Sequence, residues 1–125
     1  MDGVSFGNVT HVFKNGWFVG HFFGDDPIRQ TNDVAVKWGI HPAGQSNGKL
    51  SAYRTATTIS VLVRGRFRLT FKHRDNEEQV LLQHEGDYII FNPGVYHTWI
   101  AEADTVIMSV RWPSVGPADQ VVLDQ

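Results

Sequence analysis

The chain is divided into short runs rich in β-branched and aromatic residues, and turn-forming residues separate these runs at regular intervals. Phe67, Leu69 and Phe71 alternate with charged and polar neighbours, which is typical of a strand with one buried face. No segment repeats apolar residues at the period of a helix. We therefore predict an all-β sandwich or barrel of roughly nine strands. The predicted strands span residues 9–14, 17–23, 34–41, 57–64, 66–73, 79–83, 88–91, 95–101 and 105–112.

The pair Asn15-Gly16 is the strongest short hairpin signal in the chain. It predicts that the runs on either side of it pair as an N-terminal hairpin. In that pairing His11 and His21 point to opposite faces, because successive side chains of a strand alternate. The two histidines could then not bind one metal ion together.

Gly65 predicts a second hairpin, formed by the strands that flank it. The ranges 24–33 and 42–52 are rich in small polar residues, proline and glycine, and we predict loops there. The tail after Pro113 is predicted to be an arm or an edge strand.

With 125 residues, of which 42% are hydrophobic, the chain can form one domain with a substantial core. It contains no cysteine, which excludes disulfides, thiolate chemistry and cysteine-based zinc sites. The net charge of -2 argues against a nucleic-acid partner, and we interpret Arg64, Arg66 and Arg68 as a solvated face. No apolar run approaches the ~20 residues of a membrane span and no signal peptide is visible, so we expect a cytoplasmic protein.

The run 86–97, Gly-Asp-Tyr-Ile-Ile-Phe-Asn-Pro-Gly-Val-Tyr-His, carries the most specific functional signal. It predicts a turn, a short buried strand over residues 88–91, and a second turn formed by Pro93 and Gly94. His97 follows this second turn at the start of another strand. A histidine held on a rigid strand in this way is suited to bind a metal ion or to act as a base.

The run resembles the second signature motif of the cupin superfamily, G-D-x-x-x-x-P-P-G-x-x-H, with Asn92 in place of the first proline. In that family the histidine of the motif, here His97, is a metal ligand. The family's first motif ends on a glycine that matches Gly65. The resemblance covers about residues 34–112 and implies a cupin-like double-stranded β-helix, a jelly-roll barrel.

The metal ligands that the first motif implies are missing. Counting back from Gly65 places the family's glutamate at Thr58. The histidine pair falls on Ser51 and Tyr53, or on Ala52 and Arg54. One neutral imidazole cannot hold a divalent ion with useful affinity, so we predict a barrel without metal or other cofactor. The alternative is a metal ion on His97 with unusual ligands from His41, Tyr53 or Asp87.

His97 and Trp99 are two residues apart, so both point to one face of the same strand. If the resemblance holds, that face lines a pocket that is aromatic and hydroxyl-bearing with one imidazole. Such a lining suits a neutral or weakly polar organic molecule. The predicted ligand-binding residues are His41, Tyr53, Thr58, Ser60, Leu62, His97 and Trp99. The alternative is a barrel without a cavity, filled by Trp38, Trp99 and Trp112.

Two classes of function follow from the resemblance. The first is a module that binds a small organic molecule in its barrel. The second is a metal-free isomerase, epimerase or cyclase in which His97 is the general base and Tyr53, Tyr96 or Arg54 the acid or anion holder. A metal-dependent oxygenase or lyase ranks third.

We expect a single domain over residues 1–125. It comprises an N-terminal hairpin and loop (1–33), a barrel core (34–112) and a C-terminal tail (113–125). Proteins that the chain resembles often dimerise through an extra N-terminal strand, so we also expect a homodimer that uses the N-terminal hairpin.

Overall fold

The computed structural model describes residues 2–11 and 15–123. Within these residues the chain forms ten strands and two short 3-10 helices, at Val9–His11 and Pro117–Asp119. The strands are β1 (Trp17–Val19), β2 (Ala35–His41), β3 (Ser51–Tyr53), β4 (Thr57–Arg64), β5 (Phe67–His73), β6 (Asn76–Leu82), β7 (Tyr88–Phe91), β8 (Tyr96–Ala101), β9 (Thr105–Trp112) and β10 (Gln120–Val122). The all-β prediction is confirmed. No helix in the described part of the chain is long and apolar enough to cross a membrane.

The strands form two antiparallel five-stranded sheets that face each other. The first sheet has the order β1-β2-β9-β4-β7 and the second the order β10-β3-β8-β5-β6. Neighbours in each sheet are mostly distant in sequence, so the chain passes repeatedly from one sheet to the other. A single apolar core joins the two inner faces and contains Leu62, Phe67, Leu69, Leu82, Phe91, Ala101 and Ile107.

Gly65 is a corner between the two sheets, and the predicted hairpin around it is wrong. β4 pairs with β7 and β9, whereas β5 pairs with β6 and β8. Gly65 has a φ of +106°, and a Cβ atom there would lie 2.5 Å from the carbonyl oxygen of Asp104. The glycine is therefore needed for its positive φ and for close packing, in a connection between the two sheets and not in a hairpin.

The predicted N-terminal hairpin is also wrong. Asn15 and Gly16 adopt the positive φ angles of the predicted turn, 54° and 90°. However, the residues Val9–His11 form a 3-10 helix, and β1 pairs with β2. The long strand β2 offers β1 a continuous partner inside the first sheet, and the Gly16 carbonyl accepts a hydrogen bond from the Trp38 N–H at 2.9 Å. The predicted pairing of residues 12–14, and the direction of the His11 side chain, lie outside the described residues.

The remaining corrections concern strand ends. The predicted loop over residues 42–52 contains the start of β3, and the strand predicted at 79–83 begins earlier, at Asn76. The C-terminal tail adds β10 at the edge of the second sheet, where Val121 pairs with Ala52. The predicted edge strand is therefore confirmed, and it gives the short strand β3 a second partner.

Candidate functional site

The inner faces of three adjacent strands change from apolar to polar along the barrel. Between β4 and β9 the paired inner residues are, in order, Leu62 with Ile107, Ser60 with Ser109, and Thr58 with Arg111. On β2, Lys37 lies opposite Ser109 and Gly39 opposite Ile107. We call the level of Leu62 and Ile107 the apolar layer, and the two levels from Ser60 and Ser109 to Thr58 and Arg111 the polar layers.

The polar layers border a cavity of about 120 Å³ between the two sheets. Six of the seven predicted ligand-binding residues line it: His41, Tyr53, Thr58, Ser60, His97 and Trp99. Leu62 shares the strand face of Thr58 and Ser60, but it packs in the apolar core and does not line the cavity. The other lining residues are Lys37, Gly39, Phe67, Leu69, Phe91, Ile107, Ser109 and Arg111.

Tryptophan does not fill the barrel. Trp99 lines the cavity, whereas Trp112 is 42% exposed and Trp38 lies on the opposite face of β2 from Lys37. Two larger surface hollows adjoin the cavity through shared lining residues. One, of about 410 Å³, includes His41 and Trp99, and the other, of about 450 Å³, includes Tyr53 and Arg111.

The surroundings of His97 favour a neutral imidazole and one tautomer. It is only 8% exposed, and its ring centroid lies 4.4 Å from that of Phe91. Its Nδ1 lies 3.2 Å from the Val95 carbonyl oxygen, which can only accept, so Nδ1 carries the proton and Nε2 has a free lone pair. Burial lowers the pKa of His97; the Val95 hydrogen bond opposes this effect and the charge of Arg111 adds to it.

His41 is a second imidazole on the same cavity. Its Nδ1 lies 2.6 Å from Oε1 of Gln45, and its ring packs 4.6 Å from that of Trp99, centroid to centroid. Gly39 makes room for this ring, because a Cβ atom there would lie 2.8 Å from Nε2 of His41. Burial lowers the pKa of His41; the Gln45 hydrogen bond opposes this, and the positive charge of Lys37 lowers the pKa further.

Arg111 and Lys37 bring two positive charges to the cavity. The guanidinium carbon of Arg111 lies 4.3 Å from the ring centroid of Trp17 and 4.4 Å from that of Tyr53. Arg111 Nε is buried and finds no hydrogen-bond acceptor among the described residues. Burial lowers the pKa of both cations, and the charge of Arg111 lowers that of Lys37 further.

No carboxylate lines the cavity within the described chain. Asp119 is near enough to favour the charged form of Arg111, but its carboxylate accepts hydrogen bonds from the backbone and side chain of Thr55. The Thr58 hydroxyl is buried without a partner in the described structure, whereas those of Ser60 and Ser109 bond each other at 3.0 Å. The cavity therefore has an excess of positive charge and of unused donors.

The lining does not fit a divalent metal ion. Ser51, opposite His97 across β3 and β8, and Tyr53 and Thr58 stand where the resemblance implies ligands, and the two cations face the same space. Nowhere in residues 2–11 and 15–123 do three or more His, Cys, Asp or Glu side chains form a group that could hold a metal. Two imidazoles, those of His41 and His97, beside hydroxyls and two cations are a poor donor set for such an ion.

Lys37 and Arg111 were not predicted from the sequence, because charged residues that alternate with apolar ones are normally assigned to solvent. On β2 the apolar residues Val36, Trp38 and Ile40 form the outer face, and Ile40 is 56% exposed. Gly39 and His41 lie on the same face of β2 as Lys37, because successive residues of a strand alternate between its faces. This grouping could have indicated from the sequence that the polar face of β2 points inward.

Neither protein-family models nor curated proteins gave a match to the chain. Solved structures, in contrast, match the chain. An uncharacterised conserved protein with a double-stranded β-helix domain from Klebsiella pneumoniae has a TM-score of 0.62 and 18% identity, over 76% of this chain and 74% of that one.

Two further structures agree. QdtA, a sugar 3,4-ketoisomerase from Thermoanaerobacterium thermosaccharolyticum, has a TM-score of 0.63 and 12% identity, over 82% of this chain and 72% of that one. KdgF from a Halomonas species has a TM-score of 0.57 and 18% identity, over 70% and 76% of the respective chains. At these identities the likeness concerns the fold. The chain has a cupin-like fold, a double-stranded β-helix, as the motif at residues 86–97 predicted.

Proposed function

We propose that this protein binds a small organic molecule in its barrel. One observation carries the proposal: the cavity contains polar groups that are buried and unpaired, the Thr58 hydroxyl and Arg111 Nε. Buried polar groups in folded proteins are nearly always hydrogen-bonded, so a site that leaves two unused is suited to a ligand that supplies the partners. QdtA was solved in complex with TDP, which supports small-molecule binding by a protein of this fold.

The experiment is a screen of small metabolites by two-dimensional NMR on the 15N-labelled protein. We expect ligands to shift the backbone amides of Thr58, His97 and Arg111, and to raise the melting temperature with concentration. Amides of the apolar core, such as those of Leu62 and Leu82, should shift less. A broad screen without any cavity shift would contradict the binding function.

We propose further that the barrel works without a bound metal ion, because of the donor set described above. Elemental analysis of the purified protein after mild dialysis tests this. We expect no stoichiometric transition metal. About one zinc, iron, nickel or manganese ion per chain, lost in His97→Ala, would overturn this part of the proposal.

A catalytic role is the second candidate, and one observation favours it. A general base needs a partner that orients its other nitrogen, and the Val95 carbonyl does this for His97. Three residues were predicted from the sequence as the acid or the anion holder. Of these, Tyr53 lines the cavity, whereas Arg54 and Tyr96 do not. Turnover of a ligand from the screen that is lost in His97→Gln, with binding kept, would establish the enzyme. Binding without turnover would leave ligand binding as the function of the protein.

We also propose a homodimer, but through a different surface from the predicted hairpin. The outer face of the first sheet is apolar on four of its five strands and includes Val36, Trp38, Ile40, Ile59, Val61, Tyr88, Ile90, Met108 and Val110. Tyr88 is 63% exposed and Ile90 50%. The outer face of the second sheet instead carries Arg68, Thr70 and Lys72. An exposed apolar sheet face of this kind fits a second copy of itself.

Sedimentation analysis tests the dimer. We expect a dimer for the natural chain and a monomer for Ile90→Lys. Ile100→Lys is the matched control, because Ile100 is 39% exposed on the outer face of the second sheet. A monomeric natural chain, or equal dissociation by both variants, would contradict the proposed surface.

A further inference from the structure

The positive end of the cavity is lined by no carboxylate in the described chain. We infer that the ligand is a small carboxylate, whose carboxyl group binds Arg111 and the Thr58 hydroxyl beside Lys37, while its body fills the space towards Trp99. This inference rests on the proposed binding function and names the class of ligand. It replaces the neutral molecule expected from the sequence.

The electrostatics favour an anion. Lys37 and Arg111 both face a partly enclosed space, and each is an unfavourable neighbour for the other. Asp119 stays engaged with Thr55 and forms no ion pair with either cation in the described structure. Asp119 favours the charged form of Arg111 from a distance only, so the two cations lose solvent with little compensation and destabilise the empty fold, and one bound anion would relieve both.

The donors are arranged for a planar group. Trp17 and Tyr53 contact the guanidinium of Arg111 through their rings, and these contacts supply no acceptor for its N–H groups. Thr58 lies directly opposite Arg111 in the pairing of β4 with β9, so its unpartnered hydroxyl is at the same level of the barrel. A guanidinium presents its donors in one plane and matches the two oxygens of a carboxylate.

The rest of the lining limits the body of the ligand. Leu69, Phe91 and Trp99 offer apolar surface, and the neutral His97 offers Nε2 as an acceptor for a hydroxyl or amine. A cavity of about 150 Å³ accommodates benzene, so one of about 120 Å³ encloses a smaller body, and a ring of that size would extend into the adjoining hollow beside Trp99. Larger groups would extend into the hollow that shares Tyr53 and Arg111.

The test compares a carboxylate with its uncharged counterpart. Benzoate and benzamide are titrated separately into the 15N-labelled full-length protein, at constant chloride, with the Nε–H signal of Arg111 and the backbone amides as readouts. We expect benzoate to shift the Arg111 Nε–H signal and to bind about 10- to 100-fold more tightly than benzamide. Arg111→Gln should remove that preference.

The control variant is Arg64→Gln, which removes the same charge from an exposed position at the end of β4. It should leave the benzoate affinity unchanged. If Arg111→Gln does not fold, Lys37→Met takes its place, with weaker benzoate binding and unchanged benzamide binding expected.

Three results would overturn the inference. Equal affinities for benzoate and benzamide, unchanged in Arg111→Gln, would leave a ligand site but not a carboxylate site. Inorganic phosphate that displaces benzoate at equal concentration would show an unselective anion site. If benzoate, acetate and pyruvate all fail to shift the Arg111 signal, the carboxylate assignment is wrong. The binding function itself would then fail only if neutral molecules also leave the cavity amides unchanged.

Discussion

The apolar layer and the polar layers of the barrel are built on the same strands, yet they serve opposite purposes. Leu62 and Ile107 are 1% and 3% exposed and belong to the core that holds the two sheets together. Four residues away on the same two strands, Thr58 and Arg111 pair with each other, and each carries a buried group without a hydrogen-bond partner in the described structure. The difference teaches that one end of the barrel stabilises the fold and allows the other end to carry groups that destabilise it.

The largest expected effect on stability comes from a substitution in the apolar layer. Leu62→Ala should lower the free energy of unfolding by about 2–5 kcal/mol, because it removes a fully buried side chain from a closed core. Thr58→Val is the matched change on the same face, and it should be neutral within about 1 kcal/mol or stabilising, because the lost hydroxyl has no partner in the described structure. Urea unfolding of both variants measures the two effects. Similar losses would show that the polar layers also stabilise the fold.

The next effect concerns the corner at Gly65, where the chain passes from the first sheet to the second. Gly65→Val should lower the free energy of unfolding by about 1–3 kcal/mol from backbone strain alone. The contact of the new Cβ atom with the Asp104 carbonyl increases the loss. His84→Ala, at an exposed turn, should stay within about 0.5 kcal/mol. Thermal unfolding of both variants gives the comparison. Comparable shifts of the melting temperature would contradict the role of Gly65 at the corner.

The smallest effect is a dependence of stability on pH. Burial lowers the pKa of His97 below its ordinary value, and also that of His41. Below about pH 6.5 the unfolded chain binds protons that the folded chain does not, so the free energy of unfolding should fall as the pH decreases from there to the folded-state pKa. Urea unfolding between about pH 7.5 and pH 5.5 should show this slope.

The control for this prediction is a pair of single variants. His97→Asn should reduce the dependence of the free energy of unfolding on pH and leave the part of it that is due to His41. His73→Asn, on an exposed residue at the end of β5, should leave the slope as it is. A slope that His97→Asn does not change would mean that His97 is not held neutral in the folded state.

The fold was largely predictable, because alternation and turn residues are local signals. The strands over residues 57–64, 88–91 and 105–112 have the predicted bounds, and the motif that ends on His97 indicated the barrel. The connections were less predictable, because a glycine with positive φ serves a hairpin and a sheet corner equally well. Gly65 and the Asn15-Gly16 pair both gave the correct backbone conformation and the wrong strand partner.

The site was predictable in part. The motif led to His97 and to residues that share its face, and the structure places six of them on one cavity. Lys37 and Arg111 could not be assigned in this way, because the usual rule places charges outside. The rule fails on β2 and β9 because their outer face is the apolar one, which we propose is covered by a second copy of the chain. The partners of Arg111 depend on the three-dimensional approach of Trp17 and Tyr53.

The most direct test of the central claim is a crystal structure of the protein grown with benzoate. We predict a carboxylate in the cavity with its oxygens within hydrogen-bond distance of Arg111 and the Thr58 hydroxyl, and with the ring beside Trp99. Electron density for a metal ion about 2.0–2.2 Å from a nitrogen of His97, or a cavity closed by side chains with benzoate absent, would contradict the account.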